Sequence, residues 1–182
     1  MIREIIVAGF GGQGVITIGK MLAEGGLHEG YHITWVPSYG PEMRGGTANC
    51  SVVISDEAIG SPVFSQPGEL IAMNGPSLKK FLPHVRPGGL VLINDSQASE
   101  AVQRQDIRVL RIPLMAMANE LGSLRSANMI MLGAYVAVSG ALNIDSMDKV
   151  MEEMFAGAKA QHLPLNLKAL HAGADWARQR QG

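Results

Sequence analysis

Gly9, Gly11 and Gly14 fall at the spacing G-x-G-x-x-G, directly after the apolar run Ile5-Ile6-Val7-Ala8 and before a helical pattern that begins at Val15. No Cβ covers such a backbone, so it can turn sharply and approach a ligand closely. The first turn of the following helix directs unpaired N–H groups and its positive dipole end into the same space. That combination attracts anions. The competing account is a tight turn that holds nothing. Two nucleotide sites are disfavoured. A dinucleotide fold places an acidic residue at the end of the next strand to hold the ribose, and Ile33-Thr-Trp-Val-Pro37 carries none. The phosphate loop G-x-x-x-x-G-K-[ST] is absent too, Lys20 lying well beyond Gly14.

A second constellation, Ser38-Tyr-Gly-Pro-Glu-Met-Arg-Gly-Gly46, mixes a hydroxyl, a phenol, a carboxylate and a guanidinium with glycines. Arg44 can grip a carboxylate or phosphate with its planar fork. Glu42 can orient Arg44, and Gly45-Gly46 leaves backbone uncovered. The bland alternative is a solvated loop whose Glu42 and Arg44 pair locally, a common and weak contact.

Other candidates carry less. His28, His32, His84, His162 and His171 show no metal-ligand spacing, so no metal is expected. Cys50, inside a strand pattern, reads as a small buried residue and not a nucleophile. Asn74 and Asn94 sit at strand ends, where side-chain-to-backbone turns are expected. Asn128, in an apolar helix, must find partners for its amide, and the Arg125-Ser126 turn is a candidate. The methionines of the apolar helix read as core filler.

These groups need a scaffold, and composition bounds it. The chain has 182 residues, 47% hydrophobic and 17% charged, which suits one well-filled α/β domain spanning 1–182. A net charge of -1 offers no basic run for nucleic acid. A single cysteine excludes both an internal disulfide and a four-cysteine iron–sulfur cluster held by this chain alone. Met1-Ile-Arg-Glu4 has no signal-peptide form, so a cytoplasmic location is expected. The apolar stretch Ala127–Leu142 falls short of the ~20 residues of a membrane span and reads as a buried helix.

Along the chain, strands are expected at Arg3–Gly9, His32–Val36, Thr47–Ser55, Glu69–Met73, Leu90–Ile93 and Val109–Ile112. Helices are expected at Val15–His28, Leu78–His84 with Ser77 as its cap, and Leu114–Leu121. The buried helix starts near Ser126, and Ser146–Ala160 and Leu165–Gln179 follow. The alternation predicts a mainly parallel sheet with helices on both faces, and Ala48–Pro62 can add antiparallel strands at an edge. The turns after Gly9, Pro37, Asn74 and Asn94 then share the carboxyl rim of the sheet, where ligands sit in such folds.

Gly9-Phe-Gly-Gly-Gln-Gly-Val15 followed by Trp35–Val52 resembles the gamma subunit of 2-oxoacid:ferredoxin oxidoreductases. Ile71–Asn74, Pro76–Phe81, Pro87-Gly-Gly89 and Ala127–Ala134 agree, and the resemblance weakens after about Asn143. It implies oxidative decarboxylation of a 2-oxoacid with coenzyme A to an acyl-CoA. Thiamine diphosphate and iron–sulfur clusters are then held by partner alpha and beta subunits, with a delta subunit in some members, and electrons pass to ferredoxin. The chain alone is expected to be inactive and to bind no cofactor unaided. It would form the coenzyme A side of a shared site, with Gly11, Gly12, Gln13, Gly14, Ser38, Tyr39, Glu42, Arg44, Gly45 and Gly46 as the binding set and no catalytic residue assigned. Met43, where pyruvate members more often carry a second Arg, leans the resemblance to 2-oxoglutarate and branched-chain members, 2-oxoglutarate first. The rivals are a stand-alone nucleotide-binding oxidoreductase, which the missing ribose carboxylate disfavours, and a scaffold that only holds partner subunits together.

Overall fold

The apolar run near the N-terminus forms a strand in the middle of the sheet. In the computed structural model, which describes residues 1–40 and 46–180, strand β1 is Ile2–Phe10. Ile5 and Val7 face one side and Ile6 and Ala8 the other, all buried. Burial on both faces explains why the run is continuous instead of alternating. The other strands are β2 (His32–Tyr39), β3 (Thr47–Ser55), β4 (Glu69–Ala72), β5 (Leu90–Asn94) and β6 (Arg108–Ile112). They form a six-stranded sheet in the order β2-β3-β1-β4-β5-β6. β1, β4, β5 and β6 run parallel. β3 pairs antiparallel with both β1 and β2, so this edge of the sheet is the antiparallel part.

Helices lie on both faces, unequally. One face carries α1 (Val15–His28), α3 (Leu114–Glu120), α4 (Ala127–Ser139), α5 (Ile144–Met154) and α6 (Leu163–Arg178) over the larger core cluster. The other carries α2 (Gly75–Phe81) and a smaller cluster around Ile6, Leu70, Val91 and Leu78. α4 is buried nearly all round, its Met129 and Met131 included, as its uniformly apolar sequence demands. It crosses α6 at two glycines. A Cβ on Gly133 would sit 1.8 Å from the Leu170 carbonyl oxygen, and one on Gly173 would sit 1.9 Å from that of Ile130. The two backbones touch because neither glycine has a side chain, and this contact fixes the start of α4 over the sheet.

At the amino ends of β1 and β4 the structure is closed. Arg3 pairs with Glu69 and donates to the Ser139 carbonyl oxygen at 2.7 Å, while the Tyr135 hydroxyl donates to the other Glu69 oxygen. Burial, with Glu69 adjacent, pushes the Tyr135 hydroxyl well above its ordinary pKa.

Most element boundaries fall within a residue or two of the sequence reading, and three differences bear on the site or the core. β2 runs on to Tyr39, so Ser38 and Tyr39 belong to a strand paired with Asn49 and Ala48 and not to a loop. α2 begins at Gly75, and its cap is Asn74, whose Oδ1 accepts from Ser77 N at 2.9 Å, so Ser77 is the capped residue instead of the cap. α5 stops at Met154, and a 3-10 turn over Gly157–His162 follows, with Gly157 at φ 64.

Candidate functional site

The turns after β1, β4 and β5 meet on one rim, as the parallel order requires. Gln13 is the clasp. Its Oε1 accepts from Phe10 N at 2.7 Å and from Asn74 Nδ2 at 3.0 Å, and its Nε2 donates to the Met73 carbonyl oxygen at 3.1 Å. That same oxygen accepts from Asn94 Nδ2 at 3.1 Å. Both ends of the Gln13 amide are therefore engaged with the protein, with one Nε2 hydrogen left over, so Gln13 holds the loop on the rim. The loop after β2 joins the rim through the backbone, Gly11 N donating to the Gly46 carbonyl oxygen at 2.9 Å.

Gly12 and Gly14 need to be glycine for conformational reasons. Their φ angles of 95 and 75 lie in the left-handed region that other residues rarely adopt. Gly14 is also the residue that precedes α1, and no side chain caps that helix. The first N–H groups of α1 thus lack intrahelical partners and face the rim with the positive end of the dipole.

Three adjoining cavities ring this helix end. One, of about 390 Å³, is lined by Gly11, Gly12, Gly14, Thr17 and Tyr39. A second, of about 260 Å³, lies between Gly12, Gly14, Asn94, Gln97, Arg125 and Asn128. The third, of about 320 Å³, shares Thr17, Arg125 and Asn128 and extends to His162 and Asn166. Ligand sites are concave, with a few converging polar groups on an apolar lining, and these cavities fit that description.

Of the residues nominated from sequence, Gly11, Gly12, Gln13, Gly14, Tyr39 and Gly46 come together around the helix end. Ser38 does not. Successive strand residues point to opposite faces, and Tyr39 takes the α1 side while Ser38 is exposed on the other. Glu42, Arg44 and Gly45 lie outside the described residues.

Two functional candidates were missed in the sequence. Arg125 has no ion pair or hydrogen bond among the described residues and borders two of the cavities. Asn94 is 1% exposed, and its Oδ1 has no hydrogen-bond partner among the described residues. A lone cation directly before a helix with no charged residue was the available signal for Arg125. Asn128 packs over Gly14, 2.3 Å from where a Cβ would be, instead of bracing the Arg125-Ser126 turn.

Cys50 is fully buried with Sγ 3.7 Å from the Val15 carbonyl oxygen, and burial pushes its thiol up to about 11. Reactive cysteines show the opposite shift. Among the described residues no group of three or more His, Cys, Asp or Glu is placed to hold a metal ion. No helix among them is long and apolar enough to cross a membrane.

The comparisons with known proteins give this α/β sheet and its glycine rim a family. The pyruvate ferredoxin/flavodoxin oxidoreductase family matches residues 4–176, and the chain belongs to that family. It is 44% identical over 177 residues to ketoisovalerate oxidoreductase subunit VorA of Methanothermobacter marburgensis, covering 97% of this chain but 37% of that protein. It is 31% identical over 182 residues to 2-oxoglutarate synthase subunit KorC of the same organism, covering 96% of each. The crystal structure of the gamma subunit of keto/oxoacid ferredoxin oxidoreductase from Geobacter sulfurreducens PCA matches with a TM-score of 0.82 at 27% identity, covering 97% of this chain and 99% of that one. The chain thus spans little more than a third of the length of VorA.

Proposed function

We propose that this chain is the gamma-type subunit of a 2-oxoacid:ferredoxin oxidoreductase and supplies the coenzyme A side of an active site that partner chains complete. The observation that carries this is the uncapped start of α1, set among three cavities, in a chain of that family. Coenzyme A brings a diphosphate and a further phosphate, the charge such a rim attracts. One cysteine cannot hold a cluster. As the family resemblance implies, thiamine diphosphate and the iron–sulfur clusters would belong to alpha and beta partners, with a delta subunit in some members. Thiamine diphosphate would stabilise the carbanion left by decarboxylation. This chain's part is to bind and orient the thiol acceptor against it and to pass no electrons itself, ferredoxin being reduced through the partners.

The substrate is a 2-oxoacid. The 44% identity to a relative named for ketoisovalerate supports a branched-chain substrate. The end-to-end correspondence with KorC supports 2-oxoglutarate, the reading to which the Ser38–Gly46 motif also leans.

The test is to purify the tagged chain with its partners and measure 2-oxoacid-dependent viologen reduction. The expected result is turnover by the complex only, dependent on coenzyme A, with kcat/KM for ketoisovalerate above that for 2-oxoglutarate. The reverse order would favour the second substrate. A complex that turns over without coenzyme A, or an isolated chain that saturates with NAD(P), would sink the proposal.

A further inference from the structure

The sheet face that carries α2 is covered unevenly. α2 packs on β1 and β4, whereas α1, the helix packed on β2 and β3, lies on the opposite face. Ile33, Trp35, Cys50 and Val52 point into the core beneath α1. Strand alternation then turns Val36 and Ser38 of β2, and Thr47, Asn49 and Ser51 of β3, to the open face. They adjoin one another, Val36 opposite Ser51 and Ser38 opposite Asn49. Val36 is 42% exposed, Ser38 and Thr47 are exposed, and Asn49 and Ser51 are half-buried. None of the five carries a charge. The hydroxyls and amide of Ser38, Thr47, Asn49 and Ser51 make no hydrogen bond among the described residues. The free edge beside them is equally bare. Native proteins blunt an exposed edge strand with charges, shortness or proline. β6, the opposite edge, has five residues and carries Arg108 and Arg111. β2 has eight, with Pro37 and no Lys, Arg, Asp or Glu.

We propose that the open face of β2 and β3 is the docking surface for the partner chain that completes the site, a neutral segment of that chain lying across Val36, Ser38, Asn49 and Ser51. The occupant is the polypeptide that VorA carries beyond this module. The matched region is 37% of VorA, so the larger part of that protein lies outside it. The face also runs into the rim. Tyr39, next to Ser38, lines the cavity of about 390 Å³ at the start of α1, so a chain seated here reaches the site without crossing another element. Its chemistry follows from the patch: an apolar side chain over Val36, and backbone or amide groups to answer the free hydroxyls and the Asn49 amide. A charged segment would lose its hydration with no opposite charge to meet it. The inference rests on the reading that partner chains complete the active site.

The experiment measures the affinity of the full chain for its co-expressed partner subunits, for the wild type, Val36→Arg and Ser51→Arg. Leu27→Arg, at a 59% exposed apolar residue on the other face, is the control. A charge buried without a partner should weaken assembly roughly tenfold or more for Val36→Arg and Ser51→Arg. Melting of the isolated chains should stay near the wild type, and Leu27→Arg should assemble normally. Val36→Arg and Ser51→Arg chains that assemble like the wild type overturn the inference. So does a wild-type chain that forms a dimer of its own, in sedimentation, which Val36→Arg abolishes, since a second copy would then be the occupant. Hydrogen exchange needs no variant: the β2 amides should exchange more slowly in the complex than in the isolated chain, and equal rates overturn the inference as well. A complex sensitive to Val36→Arg that turns over without coenzyme A keeps the interface and removes the coenzyme A reading. A coenzyme A-dependent complex indifferent to Val36→Arg and Ser51→Arg does the reverse.

Discussion

At the amino ends of β1 and β4, Arg3, Glu69 and Tyr135 satisfy one another across the sheet and up to α4, with only Arg3 Nε left unpaired. At the carboxyl end of β5 and in the turn after β1 the pattern reverses. There, among the described residues, Asn94 Oδ1 and the Arg125 side chain have no partner and no side chain caps the start of α1. Both ends are polar, so polarity alone separates nothing. The difference is whether the polar groups answer each other, and an unanswered buried group is carried at a cost that a ligand can offset. One end of this sheet is closed by its own side chains, and the other carries the polar groups on which the proposed binding role rests.

The sharpest way to break this contrast is at the closed end. Glu69→Leu would leave the Arg3 guanidinium largely buried without its carboxylate and Tyr135 without its acceptor. Removing one member of a buried pair costs about 3–5 kcal/mol. Urea unfolding should therefore show a loss of about that size, with the coenzyme A dependence of the assembled complex unchanged per folded molecule. A loss below about 1 kcal/mol, the range of exposed pairs, would show that this end is no more closed than a surface bridge.

A second test asks how dry the layer beneath the open rim is. Cys50 lies under the first turns of α1, with its thiol pushed from 9.0 to about 11. As pH rises, the unfolded chain ionises its cysteine first while the folded one keeps its proton. The stabilising contribution is therefore complete below 9.0 and is lost as pH climbs to about 11. The slope is about 1.4 kcal/mol per pH unit for one proton. Tyr135, also raised, acts in the same direction at higher pH. Denaturation midpoints followed across this range should fall more steeply for the wild type than for Cys50→Ala. Equal slopes would mean that water reaches the thiol and that the open rim extends further down than the cavities.

How legible these regions were in the sequence follows from how far apart their parts lie. The glycine spacing, the helix after it and the missing ribose carboxylate are local patterns, and the structure returns them as β1, its turn and α1. Asn74 was recognisable as a turn residue because an asparagine at a strand end bonds nearby backbone, whereas the Asn94 side chain reaches across to the Met73 carbonyl oxygen instead of its own turn. That Asn74 and not Ser77 caps α2 is a near miss of the same local kind. Arg125 and Asn94 as partners in one cavity were not legible, since they meet only through strand order and the seating of α4. That seating depends on Gly133 and Gly173, whose contact joins two helices distant in sequence. Arg3 and Glu69 are 66 residues apart, and no local pattern pairs them. Ser38 and Tyr39 looked like loop chemistry because Pro37 and Gly40 flank them, yet pairing with β3 carries the strand through both.

The smallest expected effect separates two glycines that look equivalent in the sequence. Gly12 and Gly14 both take left-handed φ, at 95 and 75, so alanine at either should cost about 1–2 kcal/mol in strain. Their surroundings differ. A Cβ on Gly12 meets nothing within 4 Å, whereas one on Gly14 would fall 2.3 Å from Asn128 Nδ2. Gly14→Ala must therefore push Asn128 away from the start of α1, and Gly12→Ala need not. Thermal melts should show a loss for both variants, the larger for Gly14→Ala because its Cβ also displaces Asn128. Coenzyme A binding by the assembled complex should weaken roughly tenfold more in Gly14→Ala, the scale of one lost hydrogen bond to a charged group. If both variants bound equally, Asn128 would be packing over the loop without serving the rim. The open end would then consist of the helix start, Asn94 and Arg125 alone.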